Sequence, residues 1–202
     1  MPALTRDFYL RDPAVVARDL VGKNLWRQTS AGLCGGRIVE VEAYLSTRDS
    51  ACHASRGQTN RNKSMFGPPG HAYVYMIHSR WCLNAVTEPA GTPSAVLIRA
   101  LEPLVGLEWM HERRRTDIVR DLTRGPARLC EALAIDRTYD GWDLTAGREL
   151  WIAADDEPAH RKLRLGRSGR IGLSSAQRRL LRFFEIGNRF VSGRTAAHKN
   201  KA

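Results

Sequence analysis

The residues of this sequence that could do chemistry lie close together, between positions 37 and 84. A carboxylate, Glu42, stands two positions before Tyr44 at the end of the run RIVEVEAY. A basic loop follows, and then a second aromatic run that contains Tyr73 and Tyr75. An acid, flat rings and cations in one segment indicate chemistry on a nucleobase, because a base extruded from a duplex needs stacking surfaces and polar groups around it.

Glu42 is the candidate catalytic group. A carboxylate among aromatic rings is partly desolvated, which makes it a stronger base for taking a proton from an attacking water. The alternative is a structural strand glutamate whose charge is paired with Arg37 or Arg99. Glu42 alone does not distinguish between these interpretations. The residues near it are therefore needed to decide.

The rings near Glu42 belong to Tyr44, His53, Tyr73 and Tyr75. Rings at strand spacing commonly fill a core. Around a carboxylate in a basic protein, they also fit a platform for a flipped base, whose edges their polar groups could read. Both interpretations stay open at this point.

The loop between the two aromatic runs carries Arg56, Arg61 and Lys63. These cations could hold the phosphates that flank a flipped base, or they could belong to a solvated loop. No glycine-rich dinucleotide motif and no phosphate loop occur, so the sequence gives no support for a nucleotide cofactor. The zinc deaminase signature is absent too, which argues against base deamination.

The charge of the chain favours a polyanionic partner. Lys and Arg together number 32 against 21 Asp and Glu, which gives a net charge of +11 and a pI near 10.2. Such an excess attracts nucleic acid, although a solubilising surface is the simpler explanation. The excess is clustered, in one group at Arg113, Arg114, Arg115, Arg120 and Arg124, and in another at Arg161, Lys162, Arg164, Arg167, Arg170, Arg178, Arg179 and Arg182.

Cysteine usage argues against a metal centre. The four cysteines, at positions 34, 52, 82 and 130, form no Cys-x-x-Cys pair. We expect reduced thiols that are mostly buried, and no bound metal. Zinc stays an alternative only because His53 follows Cys52 and His78 lies near Cys82.

Length and composition fit one soluble domain over residues 1–202. We place its core at about 8–192 and expect the basic tail at 193–202 to fray. The sequence holds no apolar run of membrane-spanning length, and its first residues lack a signal peptide's apolar stretch. We therefore expect an intracellular protein, in the cytoplasm or nucleoid if the source is bacterial.

Patterning predicts the elements that must position these residues. Asp12 and Pro13 form a helix start, with Asp as the N-cap and Pro in the first turn. Further helices are predicted at 104–115 and 126–135. Strands are predicted at 23–28 and 36–45, which form a hairpin, and at 71–78, 80–86, 95–101, 149–153, 170–173 and 181–191.

Strand periodicity assigns side chains to faces. On the second strand, Ile38, Glu40, Glu42 and Tyr44 share one face, while Val39, Val41 and Ala43 share the other. A face with two carboxylates is not expected to be simply buried. On a later strand Leu97 and Arg99 point the same way.

Several segments closely resemble the alkyladenine (3-methyladenine) DNA glycosylase family. They are residues 37–45, Cys52-His53, Asn60-Arg61-Asn62 with Met65-Phe66, Tyr73-Val74-Tyr75, Cys82-Leu83-Asn84, 96–107, 125–133, 170–173 and Arg182-Phe183. They occur in the family's order and extend from about Phe8 to Val191. So many independent motifs make the resemblance specific.

The resemblance implies an α+β fold, with a curved, mainly antiparallel sheet and helices packed outside it. It also implies a monomeric, cofactor-free enzyme of base excision repair that acts on double-stranded DNA containing damaged purines. Such enzymes flip an alkylated purine, with deaminated and etheno purines as further candidates, and hydrolyse its N-glycosidic bond. No lysine stands in the place of an amine nucleophile, so the resemblance implies no AP-lyase step.

Residue by residue, Glu42 matches the general base that activates water and Arg99 an arginine near that water. Tyr44, His53 and Tyr75 match the rings that sandwich the base. Asn84 matches a pocket-edge asparagine that disfavours the amine of normal guanine, and Leu97 is assigned to the same pocket. Arg61 and Lys63 are assigned to contacts with the DNA backbone.

One position departs from the family. A tyrosine followed by glycine usually enters the duplex as a wedge, where this chain has His78 and Ser79. Three interpretations stay open: His78 is a weaker wedge, Arg80 or Met76 replaces it, or the substrate is handled differently. The rival functions are a non-catalytic binder of damaged or structured nucleic acid on the same scaffold, and an RNA-binding module.

Overall fold

One long strand, β2 (Gly32–Tyr44), organises the sheet, because three other strands in the described part of the chain pair with it. The computed structural model describes residues 1–154, 163–173 and 178–193. The other strands in that part are β1 (Asn24–Thr29), β3 (Ala72–Ile77), β4 (Arg80–Thr87), β5 (Ser94–Val105), β6 (Leu150–Ala153), β7 (Leu165–Ser168) and β8 (Arg182–Glu185).

The strand order is β3-β4-β5-β2-β1-β6, with β8 paired to both β2 and β7. Every pairing between the described strands is antiparallel. β2 pairs with β1 through its first half and with β8 at residues 40–42, while β5 pairs along its other edge. The second half of β2 is therefore enclosed by β5 and β8.

Helices pack on this sheet rather than within it. They are α1 (Arg6–Tyr9), α2 (Pro13–Leu20), α3 (Leu107–Arg114) and α4 (Pro126–Ala132), with short 3₁₀ turns at Lys63–Phe66, Val119–Asp121 and Arg137–Tyr139. α2 packs on β2 and β5, and α4 on β4 and β5. Asp12 caps α2 as predicted, since its side chain accepts from the N–H groups of Ala14 and Val15. The predicted α+β class with a curved antiparallel sheet is confirmed.

Two element predictions near residue 105 and residue 170 were wrong. The helix predicted from 104 begins at Leu107, because β5 continues through Val105 and Gly106 makes the turn at φ 75°. The strand predicted at 170–173 is replaced by β7 at Leu165–Ser168. At Ile171 the backbone N–H is bonded to a side chain of β2 instead of a strand ladder.

The predicted strand at 181–191 is shorter than expected. β8 ends at Glu185, and the chain turns at Gly187 with φ 84°. Part of the second basic cluster, Arg161 and Lys162, lies outside the described residues, as does the predicted frayed tail beyond 193. None of the helices in the described ranges is long and apolar enough to cross a membrane.

The face assignment on β2 needs a correction. Register shifts between Ile38, Glu40 and Val41 interrupt the period of two. Ile38 consequently packs in the main core with Val41, instead of sharing a face with Glu42. The expectation that two carboxylates keep this face from being buried was also wrong, because Glu40 and Glu42 are both 0% exposed.

Glu40 is buried at the centre of a hydrogen-bonded network. Its carboxylate accepts from Arg99 Nε at 2.9 Å, from Arg182 Nε at 2.6 Å, and from the N–H and hydroxyl of Ser192 at 2.6 and 2.9 Å. These partners come from β5, β8 and the segment after β8. Arg182 was assigned to a surface cluster, but its side chain is fully buried here.

We expect Glu40→Gln to lower the free energy of unfolding by about 3 kcal/mol at pH 7, because it leaves buried guanidinium charge without compensation. Urea denaturation measures this change. Asp121→Asn is the matched control, since it breaks a partly exposed pair with Arg128. That control should cost less than about 1 kcal/mol.

The effect of Glu40→Gln should depend on pH. Burial disfavours the charged form, but Arg99 and Arg182 lower the pKa of Glu40 below its ordinary value. A carboxylate of this kind stabilises the fold above its unfolded pKa of about 4.3, and the stabilisation is lost as pH falls through the folded pKa. The difference between wild type and variant should therefore shrink below about pH 4. A constant difference from neutral to acidic pH would contradict an ionised Glu40.

Candidate active site

Glu42 lies where β2 is enclosed between β5 and β8, and three donors hold its carboxylate. The Tyr44 hydroxyl donates to Oε2 at 2.9 Å, and Arg99 Nη1 lies 3.2 Å from the same oxygen. The backbone N–H of Ile171 donates to Oε1 at 2.7 Å. These contacts provide hydrogen-bond donors to the carboxylate, which offsets the cost of its complete burial.

Arg99 joins the two buried carboxylates of β2. Its Nε donates to Glu40 while its Nη1 faces Glu42. Although burial disfavours its charge, Glu42 and Glu40 raise the pKa of Arg99 above the ordinary arginine value. Arg37, the other predicted partner of Glu42, pairs instead with Glu102 and Glu185. Arg99 therefore provides a fixed positive charge beside Glu42.

A narrow pocket, partly open to solvent, lies beside this group. The residues that line it are Tyr44, His53, Met65, Tyr73, Tyr75 and Asn84. Four of them were singled out from the sequence as rings near Glu42. The predicted proximity of Tyr44 to Glu42 is observed as the hydrogen bond between their side chains.

His53 and Tyr75 form one wall of the pocket. Their ring centroids are 4.4 Å apart and their planes meet at 77°, while Tyr73 stacks on Tyr75 at 5.3 Å. His53 Nδ1 is hydrogen-bonded to the Tyr73 hydroxyl at 2.9 Å. Desolvation and the nearby charge of Arg61 lower the pKa of His53, so its ring is neutral at physiological pH.

Tyr44 links the pocket to the buried acid. Burial, and then the negative charge of Glu42, raise the pKa of Tyr44 far above its ordinary value. The hydroxyl therefore stays protonated and donates to Glu42. The ring of the same residue lines the pocket. A ligand that stacks on Tyr44 is thereby brought next to the carboxylate.

Asn84 and Leu97 occupy different positions relative to the pocket. Asn84 lines it, and its Nδ2 donates to the backbone oxygen of Tyr73 at 2.9 Å, which fixes the amide. Leu97 lies opposite Asn84 in the sheet register but packs in the apolar cluster behind the tyrosines. It is not among the residues that line the pocket.

Sequence reasoning did not assign several residues that the structure places here. Met65 lines the pocket, and Ile171 holds Glu42 through its backbone. Asn62 shapes the loop that carries His53, since its side chain donates to the backbone oxygens of His53 and Gly57. All three fall within the segments that resemble the family, which was the only available signal. For Ile171 no side-chain pattern could have shown the contact, because its backbone N–H makes it.

The β3–β4 hairpin carries the pocket wall to an exposed tip. His78 and Ser79 form a two-residue turn with φ values of 45° and 58°. An open groove beside the tip is lined by Arg61, Met76, Ile77, His78, Ser79, Trp81 and Arg137. Arg80 does not line that groove and is ion-paired at 2.9 Å with Glu131 on α4. Lys63 is exposed at the start of its 3₁₀ turn.

All four cysteines are buried free thiols, as predicted. Within the described ranges, no group of three or more His, Cys, Asp or Glu side chains could hold a metal ion. Cys52 and Cys82 pack in the apolar cluster with Tyr73 and Tyr75.

Comparison with known proteins identifies the family. The family model for methylpurine-DNA glycosylase matches residues 7–189. A relative from Rhodopirellula baltica is 46% identical over 98% of this chain and 86% of its own length. Relatives from Methanocella arvoryzae and Burkholderia cenocepacia are 51% and 47% identical, over 81% and 93% of this chain and 82% and 90% of their own lengths. All three carry the name "Putative 3-methyladenine DNA glycosylase". The chain therefore belongs to the methylpurine-DNA glycosylase family.

Proposed function

We propose that this protein is a monofunctional DNA glycosylase that removes alkylated purines from double-stranded DNA and leaves an abasic site. One observation carries the proposal: Tyr44 lines an aromatic pocket and also donates a hydrogen bond to a fully buried carboxylate, Glu42. Tyr44 would then contact the flipped base and also hold Glu42, the residue proposed to activate the water. Family membership and the names of the relatives support the same reaction.

In the proposed reaction Glu42 takes a proton from a water that attacks C1′ of the flipped nucleotide. A carboxylate has about four acceptor positions, and the described donors occupy two on Oε2 and one on Oε1. We assign the attacking water to the position on Oε1 for which the described residues supply no donor. The C1′–N bond breaks with its electron pair going to the base, and the oxygen of the water forms the new bond to C1′.

The leaving group explains why a carboxylate is sufficient. A 3-methyladenine or 7-methylguanine carries a positive charge, so the electron pair of the broken bond neutralises it. Glu42 would also stabilise the positive charge that develops on the sugar. No lysine lines the described pocket, and the proposal therefore includes no Schiff-base step and no strand cleavage.

The pocket would select its base by stacking. His53, Tyr73 and Tyr75 contact one another, which leaves Tyr44 as the lining ring that could cover the other face of a base. A cationic base gains from contact with electron-rich rings, and the neutral ring of His53 avoids charge repulsion. Asn84 is proposed to disfavour the exocyclic amine of undamaged guanine, because its amide is fixed at the pocket wall.

DNA would approach at the hairpin tip. His78 occupies the turn itself, whereas Arg80 is tied to α4 by Glu131. Met76 pairs with Trp81 in the strand register, two positions before the turn. We therefore assign the wedge to His78, with Arg61 and Lys63 as exposed cations for the flanking phosphates. A DNA substrate implies that the protein works inside the cell, and one chain is sufficient for the proposed site.

Glu42→Gln should abolish base release while it preserves binding to lesion duplex, because the amide keeps the shape but cannot take the proton. We expect excision of 7-methylguanine from a duplex oligonucleotide to fall by at least about a hundredfold. Abasic sites are measured by alkaline cleavage and affinity by fluorescence anisotropy. Glu112→Gln on α3, an exposed glutamate, is the control and should retain full activity.

If the Glu42→Gln variant still released 7-methylguanine, Glu42 would be excluded as the general base. Wild-type protein that binds lesion duplex but never forms abasic sites would instead indicate the non-catalytic binder. Stronger binding to RNA than to lesion duplex would indicate the RNA-binding module.

His78→Tyr should increase affinity for lesion duplex by about 2- to 10-fold, because the larger ring stacks over more of the gap left by the flipped base. His78→Ala should lower that affinity. Both are compared by anisotropy on lesion duplex and on undamaged duplex, where the differences should be smaller. If neither substitution changed lesion affinity or excision rate, His78 would not be the wedge.

A further inference from the structure

Arg170 and Asp49 form a buried ion pair directly behind the candidate pocket. Two nitrogens of Arg170 donate to the two oxygens of Asp49 at 2.7 and 2.6 Å, and both side chains are 0% exposed. Arg170 was grouped from the sequence with a surface cluster that would bind DNA. Its burial excludes that assignment. The contacts of Arg170 with neighbouring residues indicate its role instead.

The pair holds the end of β2 at several atoms. Arg170 Nη1 also donates to the backbone oxygen of Ala43 at 2.9 Å, and Asp49 accepts from the N–H of Leu45 at 3.1 Å. These two backbone groups flank Tyr44 on either side. The residue after Arg170 donates to Glu42. One short segment, 170–171, therefore fixes both the ring of Tyr44 and the proposed general base, Glu42.

The guanidinium of Arg170 also covers one face of the Tyr44 ring. Its Cζ lies 4.6 Å from the ring centroid. A base in the pocket would stack on the opposite face of that ring, so a positive charge lies behind the platform. Asp49 compensates this charge within the same buried space. Without Asp49, the arginine would repel a cationic base through the ring but would have little effect on a neutral one.

We propose that Arg170 and Asp49 position Tyr44 and Glu42 and, by keeping the back of Tyr44 electrically neutral, allow the pocket to accept positively charged bases. This inference rests on the proposed function, because it assumes that a base stacks on Tyr44. The two residues act through Tyr44 and Glu42, and are positioning and specificity-determining residues for that reaction.

The test compares a cationic with a neutral lesion in the Glu42→Gln background, in which the base is not released. Duplexes that contain 7-methylguanine or hypoxanthine are titrated by anisotropy. Asp49→Asn should weaken binding of the 7-methylguanine duplex on the order of tenfold more than binding of the hypoxanthine duplex. A variant that combines Asp49→Asn with Arg170→Met removes both charges and should restore the wild-type ratio of affinities, even where both affinities are lower.

Glu185→Gln is the matched control, because it alters a buried ion pair with Arg37 on the first half of β2. It should lower stability without changing the ratio of affinities. The charge argument is overturned if Asp49→Asn weakens both duplexes equally, or if the double variant keeps the altered ratio.

Hydrogen exchange tests the positioning role without any lesion. Arg170→Lys keeps the charge but loses the planar, two-nitrogen contact with Asp49. Exchange should accelerate at residues 42–45 and 170–172 and stay unchanged in α2 and α4. If exchange accelerated equally across the chain, or did not change at all, the positioning role would be overturned. Wild-type protein that releases no base from any lesion duplex would refute the proposed function alone, since the exchange result does not depend on catalysis.

Discussion

Two carboxylates buried side by side on one strand are the constraint on which the rest of this structure depends. Glu40 and Glu42 both have no exposed surface, and an isolated buried carboxylate would cost several kcal/mol. Arg99 and Arg182 supply the compensating charges, from β5 and β8 respectively. The sheet must therefore bring both strands against the second half of β2, which explains why β8 replaces β1 as its neighbour there. The segments after β7 and β8 contribute backbone N–H groups to the same carboxylates.

Local patterns in the sequence were sufficient for the hairpin of β1 and β2, the cap of α2 and the proximity of Glu42 to Tyr44. Those features depend on neighbours a few residues apart, where periodicity specifies the face of each side chain. The partners of the buried acids could not be found this way, since Ile171 and Arg182 lie 129 and 142 residues from the carboxylates they bind. The register shift that interrupts the alternation of faces between Ile38 and Val41 could not be predicted for a related reason. A bulge is defined by the pairing of a strand with its neighbour, here β5, and the pattern of one strand does not record how it pairs.

The hairpin of β3 and β4 combines the pocket wall and the tip in one rigid element. Tyr75 and His78 are three positions apart, or about 10 Å along an extended strand. Both turn residues have positive φ although neither is glycine, asparagine or aspartate, which costs conformational energy at this turn. That cost is tolerated on an exposed tip beside a groove with two arginines. The strained turn thus lies outside the packed core, at the position of the proposed wedge.

The charge balance of the buried cluster also has a consequence for the proposed reaction. Two carboxylates and two guanidiniums sum to zero before the reaction, and an alkylated purine brings one positive charge. When the bond breaks, that charge passes from the base to the sugar, and the attacking water then transfers it to Glu42 as a proton. Protonated Glu42 no longer compensates Arg99, but Glu40 still accepts from Arg99 at 2.9 Å and from Arg182 at 2.6 Å. The second carboxylate thus keeps Arg99 in place while the first is neutral, and in the proposed reaction the proton must leave Glu42 before another N-glycosidic bond can be hydrolysed.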